Sequence, residues 1–94
     1  MLAQFPVDIG KVNAKELDRE ILRAGMIAEL DAINFYEQMA AMTKSGDLRK
    51  VLEDIATEEK THLGEFQTLL LRIDESQSHE LEEGRREVEE LLEK

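Results

Sequence analysis

The sequence predicts an all-α fold: a long antiparallel helical hairpin followed by a short C-terminal helix. Three observations carry it. Apolar residues recur at alternating steps of four and three through residues 22–40 and again through 48–73, the period of a packed helical seam. A turn signal, "KSGD" at 44–47, separates the two stretches. The single proline is Pro6, and no stretch carries a strand signal.

The elements follow in order along one small domain of 94 residues. Residues 1–12, "MLAQFPVDIGKV", hold the proline and read as an irregular arm. "NAKE" has the form of a capping box, with Asn13 as N-cap and Glu16 three residues on, and opens a helix over 14–43. Gly25 is its one weak point, costing roughly 1 kcal/mol relative to alanine. Gly46 is expected to stop this helix and Asp47 to cap a second, over 47–73. "DESQS" is another break, with Asp74 or Ser76 as cap. A third helix over 77–93 is expected to be weaker and interrupted by Gly84.

Charge and composition narrow the function. Lys and Arg total 12 against 22 Asp and Glu, a net charge of −10. Such a surface repels phosphate backbones and anionic membranes and draws metal cations, so neither a nucleic-acid nor a membrane partner is expected. Without cysteine there is no disulfide and no thiolate metal site, which fits an intracellular protein. No signal peptide is in view, and no apolar stretch could span a bilayer.

In the second helix the seam runs Leu48, Leu52, Ile55, Glu59, His62, Phe66, Leu69 and Ile73. In the first it runs Leu22, Met26, Glu29, Ile33, Tyr36 and Ala40. Glu29, Glu59 and His62 interrupt these rows. Folding the chain at Gly46 brings all three level, roughly 20–25 Å from the turn. Two helices cannot enclose a core, so the hairpin needs a partner. A second apolar stripe on helix one, with Ala24, Ile27, Ala28, Phe35, Met39 and Met42, suggests burial on more than one side.

One hairpin therefore supplies one glutamate and one Glu-x-x-His. Di-iron carboxylate bundles use that set twice, and a two-fold homodimer would provide it. Carboxylates can bridge two metals and neutralise their charge, and imidazole is a good iron ligand. The i, i+3 spacing puts Glu59 and His62 on one face. A lone Glu-x-x-H usually means nothing more than a polar helix face. Here three polar groups break two apolar rows at one level, and unpaired burial costs several kcal/mol each. No lysine or arginine in the rows could neutralise them. Tyr36, two turns beyond Glu29, is either a hydrogen-bond partner of a ligand carboxylate or a core residue. Glu58, Glu65 and His79 read as surface residues, and the methionines as packing. The acidic run from Glu80 is read as a solvated helix whose Leu81, Val88 and Leu92 dock on a neighbour.

"IAELDAINFYEQM", a short turn and then "EEKTHLGEF" resemble the encapsulated ferritins, two-helix ferritin-like proteins that act inside encapsulin nanocompartments. The resemblance covers residues 18–75. It implies a ferritin-like four-helix bundle formed by a dimer, with Glu29, Glu59 and His62 as iron ligands, Glu59 bridging and Tyr36 beside the centre. Asp31 matches one of two acidic positions that attract metal in that family; Ala28 occupies the other. The implied activity is a ferroxidase, oxidising Fe(II) with dioxygen at a di-iron centre across the dimer interface. The implied assembly is a ring of five dimers, a decamer, with calcium at inter-subunit sites. The mineral would be stored by an encapsulin shell protein, fused or separate, in the cytoplasm. The chain ends "REVEELLEK" without an obvious shell-targeting peptide, as expected either for the ferritin-like part of a shell fusion or for a trimmed chain. Two rivals stand beside this reading. One is a rubrerythrin-like di-iron peroxidase, which usually carries all its ligands in one longer chain and often adds a cysteine-ligated iron. The other is a non-enzymatic helical oligomerisation module.

Overall fold

The computed structural model describes residues 13–93; the expected arm over 1–12 lies outside them. Three helices follow one another, α1 (Ala14–Met42), α2 (Gly46–Ile73) and α3 (Glu75–Leu92), and the described residues contain no strand. The all-α fold is as the sequence predicts.

Local chemistry explains the boundaries. Asn13 caps α1, its side chain accepting from the Glu16 N–H at 3.1 Å. The turn differs from the expectation. Ser45, not Asp47, is the N-cap of α2, its hydroxyl accepting from the Leu48 N–H at 3.2 Å, and Gly46 is already helical. No glycine among the described residues has a positive φ, so α1 does not end on a left-handed glycine. Arg49 does part of that work. Its Nε donates to the Ala40 carbonyl at 3.2 Å and its Nη2 to the Thr43 carbonyl at 2.9 Å, satisfying acceptors at the end of α1.

α1 and α2 pack along their lengths, and α3 leaves the hairpin at Asp74. Asp74 is 5% exposed, and both its oxygens are used. Oδ1 accepts from the Gln77 N–H at 3.0 Å, capping α3, and Oδ2 accepts from Arg23 Nη2 at 2.9 Å, tying the junction to α1. Hence α3 begins at Glu75 rather than 77. It also runs through Gly84 without a break. Arg85 pairs with Glu82 and Glu89, and Arg86 with Glu83 and Glu90, so i, i+3 and i, i+4 pairs brace the helix on both sides of the glycine. The guanidinium groups hold the carboxyls of Glu82 and Glu83 below their ordinary range.

The described residues form a flat, open shape. It measures 46 × 46 × 17 Å with a radius of gyration of 16.7 Å, against ~12 Å for a compact chain of this length. α3 touches α2 but not α1, and none of its residues is buried. The buried apolar residues Leu22, Ala24, Ala32, Ile33, Ala40, Leu52, Ala56 and Leu70 all belong to the hairpin.

Helix α2 is rotated relative to the row read from the sequence. Leu48, Leu69 and Ile73 are about half exposed, while Ala56 and Leu70 are buried and Leu63 is half-buried. Steps of four and three average 3.5 residues per turn, but a straight helix has 3.6, so such a row drifts by ~20° per heptad. In α1 the predicted row does face the partner helix, with Leu22, Ile33 and Ala40 buried. The rotation leaves Val51, Leu69 and Ile73 uncovered on one flank of α2, and Ile27, Leu30, Phe35 and Met42 uncovered on α1.

Candidate metal centre

The hairpin brings Glu29, Glu59 and His62 together. One donor atom from each lies within 4.8 Å of the others. His62 Nδ1 is 3.7 Å from Glu29 Oε2 and 3.5 Å from Glu59 Oε2. The level match follows from counting along two antiparallel helices of equal rise, so local geometry alone delivers it.

Their surroundings differ. The Glu29 and Glu59 side chains are 16% and 21% exposed, whereas His62 is 46% exposed. His62 sits on the flank of α2 that also carries Val51, Leu69 and Ile73, not inside the hairpin seam. The three donors thus open sideways, onto the uncovered apolar surface.

Glu29 is strained electrostatically. Its Oε2 is buried without a hydrogen-bond partner. Its pKa is pushed up to about 7, first by desolvation, then by a hydrogen bond with Glu59 and by that residue's charge, while His62 acts in the opposite direction. Two carboxylates facing each other across a largely buried seam ask for a cation. A mixed set of carboxylate oxygen and imidazole nitrogen suits a first-row transition ion. Donors on opposite sides of such an ion, each at ~2.1 Å, lie ~4.2 Å apart. The observed spread of 4.8 Å therefore needs side-chain shifts of only a few tenths of an ångström. The residues fit a metal, and the buried, unpartnered oxygen of Glu29 is the observation that says so.

The other sequence candidates have different surroundings. The Tyr36 ring packs edge-on against Phe35, centroids 5.6 Å apart. Asp31 is half-buried on α1, two residues beyond Glu29. Glu58, Glu65 and His79 are exposed. On the opposite side of the ligands from the turn stands a contact the sequence reading did not single out. The tip of the Phe66 ring rests over Gly25, where an added Cβ would lie 3.1–3.2 Å from three ring carbons. Gly25 precedes Glu29 by one turn, and Phe66 follows His62 by one turn. A glycine inside an otherwise unbroken amphipathic helix was the one sequence signal for it.

Comparison with known proteins agrees with this architecture. The rubrerythrin family pattern matches residues 20–93. A ferritin-like–encapsulin shell fusion protein of Pyrococcus furiosus is 54% identical over 81 residues, covering 86% of this chain and 24% of that protein. An encapsulin nanocompartment cargo protein of Myxococcus xanthus is 36% identical over 74 residues, covering 79% of this chain and 56% of that protein. The chain thus spans only part of the length of either relative. The crystal structure of the encapsulated ferritin domain from Pyrococcus furiosus superposes with a TM-score of 0.82 at 48% identity, over 97% of this chain and 93% of that one.

Proposed function

As the chain belongs to the rubrerythrin family and to the encapsulated ferritins, we propose that it is a ferroxidase. Fe(II) is its substrate, dioxygen the electron acceptor and Fe(III) the product. One observation carries the reading: half of a di-iron ligand set, Glu29, Glu59 and His62, stands beside an uncovered apolar flank. A second copy laid on that flank covers the apolar residues and completes the set in the same step.

In this arrangement Glu59 would be shared between two irons, its carboxylate offsetting their charge. Glu29 and His62 complete the coordination, and Tyr36 lies beside the centre. Asp31, with the net charge of −10, draws cations toward it. The carboxylates neutralise the added charge that iron acquires when each Fe(II) gives up one electron, which favours the oxidised product. The dimers close into a ring of five, with calcium as a candidate ion at the inter-subunit sites. By analogy with the shell-fusion and cargo relatives, an encapsulin shell receives the Fe(III).

The test is to load anaerobic protein with Fe(II), admit oxygen, and follow oxygen consumption together with Fe(III) absorbance. The parent should consume oxygen. Glu59→Ala should abolish turnover, and His62→Ala should weaken iron binding while leaving the dimer intact. Parent-like turnover in both variants would sink the ligand assignment. Because the chain matches the rubrerythrin pattern, hydrogen peroxide is a necessary second arm. Reduced protein that consumes peroxide and ignores dioxygen would establish the peroxidase. A protein that assembles and reacts with neither would be the oligomerisation module.

A further inference from the structure

Resting on the metal-centre reading above, we propose that Gly25 and Phe66 are positioning residues: the Phe66 ring is an end-on spacer that sets how far apart α1 and α2 stand at the level of Glu29 and His62.

Gly25 lies in the interior of α1, where glycine weakens a helix by roughly 1 kcal/mol relative to alanine. Its backbone does not call for glycine, because its φ is not positive. What it uniquely supplies is a bare Cα facing the distal carbons of Phe66. A Cβ there would lie 3.1 Å from Cζ and 3.2 Å from each Cε, closer than ordinary van der Waals contact. The ring therefore stands with its tip on the opposite helix. A flat ring lying sideways would let the helices slide closer; an end-on ring against a bare backbone fixes a separation.

The position gives that separation its use. Gly25 is one helical turn from Glu29 and Phe66 one turn from His62, so the contact braces the hairpin immediately beside the donors. The donors lie within 4.8 Å of one another, against ~4.2 Å for opposite donors on one ion, so any further separation of the helices works against a shared cation. The other three glycines in the described residues meet nothing within 4 Å at the place of a Cβ, so this close approach is particular to Gly25.

The experiment uses Co(II), whose visible absorption reports both affinity and coordination geometry without any turnover. Gly25→Ala should lower Co(II) affinity by roughly 10-fold, the usual cost of disturbing groups behind metal ligands, and alter the band shape. Apo helicity and melting temperature should be unchanged or higher. Adding Phe66→Leu, which withdraws the ring tip, should recover affinity in the Gly25→Ala background. Phe66→Leu alone lets the helices close in and should change both Co(II) affinity and band shape while keeping the fold. Parent-like Co(II) binding by Gly25→Ala with a raised melting temperature would overturn the proposal, leaving Gly25 a mere helix-weakening residue. If Gly25→Ala does not fold, unchanged affinity in Phe66→Leu overturns it equally. The ratio of variant to parent reads the spacer, and the parent's own binding reads the metal centre. A parent that binds no Co(II) overturns both.

Discussion

Replacing Glu29 with glutamine keeps the shape of the side chain and removes its charge, so it isolates the electrostatic cost built into the centre. The folded-state pKa of Glu29 is about 7 against 4.5 for an unperturbed glutamate. A raised carboxyl pKa means that folding favours the protonated form. This contribution to stability is complete below about 4.5 and is lost as pH rises through about 7, because the unfolded chain ionises freely while the folded one resists. The full difference would correspond to about 3 kcal/mol at 1.36 kcal/mol per unit. The centre opens to solvent on the His62 side, and screening reduces the expected effect to about 1–2 kcal/mol. The metal-free Glu29→Gln protein should therefore melt close to the parent near pH 4.5. Above pH 7 it should melt higher by roughly 4–16 °C, at ~4–8 °C per kcal/mol for a domain of this size. It should also oxidise Fe(II) far more slowly, since a carboxamide is a poorer, neutral ligand. The assay is thermal melting by circular dichroism in chelator across that pH range, at one protein concentration, with oxygen consumption measured separately. Parallel stability curves for the two proteins would refute the reasoning, because Glu29 would then carry no desolvation or repulsion to relieve. Undiminished oxidation by the variant would show that Glu29 is not a ligand.

Metal and assembly should be linked, because carboxylates gathered across a dimer axis repel until a cation arrives. Mass in solution, measured with and without Fe(II) or Ca²⁺, should shift to larger species with metal; identical distributions after thorough chelation would contradict the coupling. At the helix junction, Asp74→Asn keeps an acceptor for the Gln77 N–H but gives up the charge facing Arg23, whose side chain is 43% exposed. That change should cost about 1–2 kcal/mol, a charge-assisted bond discounted for solvent. Asp74→Ala also loses the cap and should cost about 1 kcal/mol more. Denaturant melts check both values, and equal stabilities for Asn and Ala would show that the cap contributes nothing.

The hairpin and the level of its polar groups were legible in the sequence because both are local. Helical period, the Asn13 cap and the count of residues on each side of the turn suffice to bring Glu29 beside Glu59 and His62, since helix rise is the same for any sequence. The end of α1 was read less well. Glycine is the common helix stop, but here the Ser45 hydroxyl and the long reach of Arg49 satisfy the free groups, and several side chains can meet the same local need. What only the tertiary structure decided are rotations and distances between helices. A row of apolar residues says that a face exists but not where along its width the partner helix will rest. Packing settled that by burying Ala56 and Leu70 and leaving Leu69 and Ile73 outside, which moved His62 to an open edge. The Arg23–Asp74 bond joins residues 51 apart, and the Phe66 tip meets Gly25 across the seam. Gly25 marks one end of the second contact, but nothing local names its partner or pairs Arg23 with Asp74, because each contact depends on the angle and separation at which two finished helices meet.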